Sequence, residues 1–118
     1  MSRKVLLEIE TKIEFNKLIN EFIYGLGYSV IRFDSNSVIL EKGKKILTII
    51  GLTDPKFIHR KVYITYIAKN ENTYSYKLVY EFPWYTNIGY LPRLVHMEAQ
   101  RIKNNIRDLK VKKLGMIT

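Results

Sequence analysis

The two histidines, His59 and His96, are the first candidates for chemistry, because an imidazole can act as a general base or a metal ligand near neutral pH. A general base needs a partner within hydrogen-bond distance, yet no Ser or Asp of the chain stands in a recognisable nucleophile motif. His96 and Glu98 are too few ligands for a zinc site, and the chain has no cysteine. We therefore interpret both histidines as structural or surface residues and expect no catalytic residue, no metal and no cofactor.

The densest group of aromatic residues lies in residues 73–82, TYSYKLVYEF. The even positions are large and apolar or aromatic while the odd ones are mostly polar, which predicts a β-strand with one buried face. A buried tyrosine hydroxyl needs a hydrogen-bond partner. Two interpretations follow: a partly polar ligand cavity, or a filled core in which the tyrosines bond to Glu98, Asn105 or the backbone. The inward residues are Tyr74, Tyr76, Leu78, Tyr80 and Phe82.

Length and composition favour one domain over residues 1–118, since 118 residues is an ordinary domain size. Glu8 and Glu10 fall where a signal peptide would carry its apolar centre, and no run of 18 apolar residues occurs, so we expect a cytoplasmic protein. The net charge of +9 suits anionic partners. Its two densest segments, residues 42–61 and 101–113, are either solvated faces or a basic binding surface.

Apolar periodicity places the remaining elements. A strand is predicted over residues 4–10, and Thr11 with Glu14 forms a capping-box pattern that predicts a helix from about Lys12 to residue 26. Period-two segments over residues 28–33 and 37–42 flank the turn formers Asp34, Ser35 and Asn36, which predicts a hairpin. Further strands are predicted over residues 45–52 and 60–69.

The last predicted element is a long helix over residues 90–113. Pro92 suits its first turn, and one stripe carries Leu91, Leu94, Val95, Ile102, Ile106 and Leu109. The predicted fold is therefore α+β: a curved antiparallel sheet of about six strands, in the order β-α-β-β-β-β-β-α, covered by the C-terminal helix.

This element order resembles the helix-grip fold of START lipid-transfer domains and Bet v 1-like plant proteins. The matching pieces are KVLLEIET, EFNKLINEFIYGLG, the strands of residues 28–82, and YLPRLVHMEAQRIKNNIRDLKVKK as gripping helix. Within that superfamily the chain is most similar to a small family of fatty-acid carriers from thermoacidophilic archaea. It departs from the plant proteins at Asp34, Ser35 and Asn36, where they carry a glycine-rich loop, and in having one helix after the first strand instead of two.

The resemblance implies a soluble, non-enzymatic carrier for a long-chain fatty acid or similar hydrophobic ligand, held between sheet and gripping helix. It places ligand-binding residues at Val62, Ile64, Tyr66, Tyr74, Tyr76, Leu78, Tyr80 and Phe82 on the sheet, and at Leu94, Val95, Glu98 and Ile102 on the helix. A carboxylate headgroup would need a cation or hydroxyls, and Arg32 and Arg93 are the candidates.

Two alternatives stay open. Lys42, Lys44, Lys45 and Arg60 with Tyr63 could form a basic stacking surface for nucleic acid, whose affinity would fall with salt. Helix-grip relatives also include cyclases and hydrolases, so Tyr80 and Glu98 could serve as acid and base. Nothing in their spacing demands that role.

Overall fold

An antiparallel sheet forms the frame of the protein in a computed structural model that describes residues 2–43, 58–86 and 88–117. The described strands are β1 (Ser2–Thr11), β2 (Ser29–Phe33), β3 (Ser37–Lys42), β4 (Arg60–Asn70), β5 (Thr73–Pro83) and β6 (Lys110–Met116). They form one sheet in the order β2-β3-β4-β5-β1-β6. Within the described residues the predicted α+β class and the six-stranded antiparallel sheet are confirmed.

Two helical segments contribute to the same core as one face of this sheet. Helix α1 (Phe15–Asn20) continues into a π-helical turn over Glu21–Gly25, and α2 (Leu91–Asn105) begins with Pro92 in its first turn. Leu18 and Phe22 from the first segment and Leu94 and Val95 from the second join the apolar residues of the sheet in one cluster. We call this side of the sheet the inner face. In the described part of the chain, no helix is both long and apolar enough to cross a membrane.

The predicted alternation in β5 is confirmed. Tyr76, Leu78, Tyr80 and Phe82 are buried on the inner face, and Lys77 between them is exposed. The register continues this pattern across the sheet, since Val62 of β4 and Val5 of β1 both pair with Tyr80. Side chains two residues apart along β1, β4 and β5 therefore line the same core.

The capping box predicted from Thr11 and Glu14 is wrong. Thr11 is the last residue of β1, and its hydroxyl lies 3.3 Å from a carboxylate oxygen of Asp108. The helix begins four residues later, after Glu14, whose side chain caps nothing. The Asp108 carboxylate accepts from the backbone N–H of Lys12, so it holds the chain between β1 and α1.

The predicted C-terminal helix over residues 90–113 is too long. Helix α2 ends at Asn105, Ile106 is extended, and the chain turns to form β6 along the free edge of β1. Ile106 and Leu109 of the predicted apolar stripe lie in the turn between α2 and β6, and Leu109 is buried there. Lys112 is an extra residue in β6 where its register against β1 shifts. The described order is β-α-β-β-β-β-α-β, with a strand in the last position.

A second irregularity lies in β4. The register against β5 shifts between Tyr66 and Ala68, so Ile67 is extra and Ala68 pairs with Ser75. Strict alternation from Val62 would direct Ala68 to the inner face, but the bulge gives that side to Lys69, which pairs with Tyr74. The strand predicted over residues 45–52 lies outside the described residues.

Candidate functional site

A buried polar network lies where α2 meets the inner face. Glu98 of α2 accepts hydrogen bonds from the hydroxyls of Tyr28 (2.7 Å) and Tyr80 (2.9 Å) and pairs with the guanidinium of Arg60 at 2.5 Å. Arg60 also donates to the Tyr28 hydroxyl at 2.8 Å and to the carbonyl of Ile58 at 2.7 Å. All four side chains are buried. Each hydroxyl and charge in this network therefore has a partner, as a buried polar group requires.

The local sequence directs Arg60 and Glu98 of this network to the inner face. Arg60 has the same parity as Val62 and Ile64 in β4, which directs it to the inner face, and Glu98 falls on the buried side of α2 beside Leu94 and Val95. Burial, then the charge of Glu98, raises the pKa of both Tyr28 and Tyr80 well above the ordinary value of 10.0. Burial alone would lower the pKa of Arg60, but the nearby Tyr28 and Glu98 reverse that effect and raise it.

Most of the predicted ligand-binding residues lie in closely packed core around this network. Tyr80, Leu78, Ile64, Val62 and Val95 each expose 0% of their surface to a water-sized sphere. An internal cavity large enough for a ligand would leave its lining residues accessible to such a sphere. The space between the described sheet and α2 is filled by the protein's own side chains. Leu94, Ile102, Phe82 and Glu98 are buried in the same region.

The other predicted aromatic residues, Tyr66, Tyr74 and Tyr76, gather with Phe15 and Phe33 at one end of the inner face in what we call the aromatic end cluster. Tyr76 is its centre, stacked on Phe15 at 5.8 Å and on Tyr74 at 6.2 Å between ring centroids. Tyr66 packs 5.9 Å from Tyr76, and Phe33 lies 6.2 Å from Phe15. Four segments of the chain, α1, β2, β4 and β5, therefore supply rings to one site.

The aromatic end cluster is only partly covered. Tyr76 is buried, and its hydroxyl donates to the carbonyl of Ile13 at 2.9 Å. Phe33 is 54% exposed, whereas Phe15, Tyr66 and Tyr74 are half-buried. Burial, then the neighbouring tyrosines, raises the pKa of Tyr76 above its ordinary value. The rim of the cluster is thus open to a ligand, while its base is anchored in the core.

A cation stands at this rim. The ammonium group of Lys69 lies 5.2 Å from the centroid of the Tyr74 ring, in range of a cation–π interaction. The β4 bulge brings it there, because without the extra residue Lys69 would point to the opposite face.

Neither predicted headgroup residue lies in the aromatic end cluster. Arg32 is exposed, pairs with Asp34 at 3.6 Å, and lies opposite Ile39, whereas the neighbouring Phe33 lies opposite Val38. Arg93 is exposed in the first turn of α2, ten residues beyond Pro83, the end of β5 that is remote from Tyr74. Sequence reasoning missed Lys69 and Phe15 for this role. The rings were visible in the sequence, but the bulge that turns Lys69 inward was not.

The basic surface proposed for nucleic acid does not assemble as predicted. Arg60 is buried and its charge is paired with Glu98, while Tyr63 lies on the outer face, 3.4 Å from Glu81 through its hydroxyl. Lys42 donates to the carbonyl of Leu26, and Lys44 and Lys45 lie outside the described residues.

Three depressions in the described surface have volumes between about 210 and 280 Å³. Of the predicted ligand-binding residues, Ile102 lines one, beside Arg101 and Asn105, and Phe82 lines another, beside His59 and Lys61. The described residues contain no group of three or more His, Asp or Glu side chains arranged to hold a metal ion.

Comparison with known proteins gives this chain no relative: no family model, no curated protein and no solved structure matches it.

Proposed function

We propose that this protein is a non-enzymatic binding protein for a hydrophobic small molecule with a polar end, such as a long-chain fatty acid, in a helix-grip-like arrangement of sheet and α2. The observation that carries the proposal is the aromatic end cluster, where rings from four segments meet and remain partly exposed. Exposed apolar clusters on a folded domain commonly mark binding sites.

Because side chains fill the centre of the inner face, the ligand would bind at the aromatic end cluster. The apolar part of the ligand would contact Tyr66, Tyr74 and Phe15, and the ammonium of Lys69 beside Tyr74 would meet a carboxylate. Tyr28, Arg60, Glu98 and Tyr80 satisfy one another, so they serve the core and leave the headgroup to Lys69.

The free energy of binding indicates how much of a fatty acid must be buried. Full burial of about 13 methylenes at about 0.8 kcal/mol each gives about 10 kcal/mol. An association penalty of at least about 4 kcal/mol leaves about 6 kcal/mol, which corresponds to a Kd of tens of micromolar. Burial of only half of the methylenes leaves about 1 kcal/mol, which is too little for binding in that range. A fatty acid would therefore have to pass beneath Phe15, at the start of the uncapped helix α1.

Titration of a long-chain fatty acid below its micelle concentration tests this function. We expect a Kd of about 10 to 100 μM, and Tyr74→Ser and Tyr66→Ser should each weaken binding about tenfold because each removes a contact ring. Tyr63→Ser is the matched control, since Tyr63 is a half-buried tyrosine of the same strand on the opposite face. Equal affinity in all three variants, or no binding by the unmodified protein, would overturn the proposal.

Single-stranded nucleic acid is a second candidate for the same cluster. It is favoured by Lys69 over the Tyr74 ring and by the net charge of +9, because bases stack on aromatic side chains and phosphates prefer basic surfaces. Binding of an oligonucleotide would weaken steeply with salt. Fatty-acid binding would depend mainly on apolar burial and would change little.

A further inference from the structure

The loop between β5 and α2 carries large apolar side chains on its surface. We call residues 84–86 and 88–90 the tryptophan loop. Trp84 is 63% exposed and Ile88 is 47% exposed, and Tyr85 packs edge-on against Trp84 with ring centroids 5.6 Å apart. Soluble surfaces seldom gather such residues without a partner. Met97, which is 45% exposed, lies one turn after Arg93 on the exposed side of α2.

Basic residues outnumber acidic ones around these side chains, where Glu81 and Lys61 lie beside Tyr85. Arg3 fixes the base of the loop by donating from Nε to the carbonyl of Trp84 at 2.7 Å. No Asp or Glu occurs in residues 83–97, and the single acid of α2, Glu98, is buried against Arg60. The exposed side of α2 presents Arg93 near the loop, whereas Arg101 at the other end lies beside Glu21 and donates to the carbonyl of Gly25. Apolar side chains beside Arg3 and Arg93 complement a surface that is apolar inside and anionic outside.

We propose that the tryptophan loop and the exposed side of α2 dock on an anionic lipid bilayer. Trp and Tyr prefer the interface between headgroups and acyl chains, and nearby Arg and Lys side chains gain from anionic lipids. Ile88 and Met97 favour a bilayer over nucleic acid, because aliphatic side chains enter acyl chains but do not stack on bases. Docking leaves the protein peripheral, since the loop is short and its cations stay in the headgroup region.

This surface is separate from the aromatic end cluster. The tryptophan loop follows the last residue of β5, and Tyr74 lies near the first, so the extended strand places them about 30 Å apart. Membrane docking therefore does not rest on the proposed function, and either can fail without the other.

The test uses Trp84, which is the only tryptophan of the chain. Its fluorescence is measured while the intact protein is titrated with phosphatidylcholine vesicles that contain about one third phosphatidylglycerol, and with pure phosphatidylcholine vesicles. We expect a blue shift with the anionic vesicles, quenching by lipids brominated in the acyl chain, and much weaker binding to the neutral vesicles.

Three variants make the result specific. Ile88→Ser should weaken vesicle binding about tenfold by removing a buried side chain, and Arg93→Gln should weaken it about fivefold by removing one cation. Tyr24→Ser should bind as the unmodified protein does, although Tyr24 is 83% exposed, because it lies outside the docking surface. The proposal is overturned if vesicles leave Trp84 emission unchanged, if Ile88→Ser binds equally well, or if only a single-stranded oligonucleotide shifts the emission.

Discussion

At the residue scale, Glu98 is the side chain on which the interior depends most. It accepts hydrogen bonds from two tyrosine hydroxyls and carries the charge that balances Arg60, at a buried position. A buried ion pair adds little net stability over apolar residues, but removal of one partner leaves an isolated buried charge. Glu98 therefore acts mainly to make the burial of Arg60 possible.

Glu98→Gln should lower the free energy of unfolding by about 3 to 5 kcal/mol, because the amide accepts a hydrogen bond but does not neutralise Arg60. Urea unfolding measures the change. Glu81→Gln is the control: Glu81 also accepts two hydroxyls, from Ser2 and Tyr63, but it lies on the outer face, where a loss below about 1 kcal/mol is expected. Equal losses in both variants would contradict the role assigned to Glu98.

The sequence predicted part of this arrangement. One of the two interpretations of the inward tyrosines paired them with Glu98 or the backbone, and Tyr80 and Tyr76 do bond in those ways. Arg60 was assigned to a surface, although its parity with Val62 and Ile64 was a usable signal. The pairing with Glu98 depends on how α2 crosses the sheet, which no local pattern contains.

At the element scale, β6 is the main departure from the prediction. Its residues suited a helix as well as a strand, because Ile102, Ile106 and Leu109 keep a helical spacing beyond the point where α2 ends. The unpaired edge of β1 decides the outcome, since a strand there satisfies backbone groups that a longer helix would leave exposed. By contrast, β4 and β5 were predicted nearly to the residue, because period-two alternation is a strong signal when one face is buried.

The register of β6 predicts a disulfide. Glu8 and Lys113 are direct partners across β1 and β6, so Glu8→Cys with Lys113→Cys should cross-link under mild oxidation in a chain that has no other cysteine. We expect a gain of about 2 to 4 kcal/mol in unfolding free energy. Glu8→Cys with Lys112→Cys is the control, because Lys112 is the extra residue and has no partner in the register. Cross-linking of the control pair but not of the first pair would contradict the β6 register.

At the scale of the whole molecule, stability should depend on pH in the alkaline range. An unfolded tyrosine ionises near pH 10, whereas Tyr28 and Tyr80 keep their protons to higher pH in the folded protein, because burial and Glu98 raise their pKa values. Their contribution is therefore complete below about pH 10 and is lost as pH rises above it. These two protons alone should make the free energy of unfolding fall by about 2.7 kcal/mol per pH unit, and Tyr76, whose pKa is also raised by burial, should steepen the fall.

Denaturant unfolding at several pH values above about 10 measures this slope. Tyr80→Phe should reduce it by about one proton, or about 1.4 kcal/mol per pH unit. Tyr85→Phe, at an exposed position in the tryptophan loop, is the control and should leave the slope unchanged. An unchanged slope in Tyr80→Phe would contradict the contribution of Tyr80 to the alkaline loss of stability.

The most direct test of the binding function is a residue-resolved map of where a long-chain fatty acid contacts the protein. Backbone amide shifts in two-dimensional NMR, followed during titration, provide it. We predict saturable amide shifts centred on Phe15, Tyr66, Lys69 and Tyr74. Little change is expected on the outer face around Tyr63 and Glu81. Absence of saturable shifts, or shifts centred away from the aromatic end cluster, would contradict this prediction.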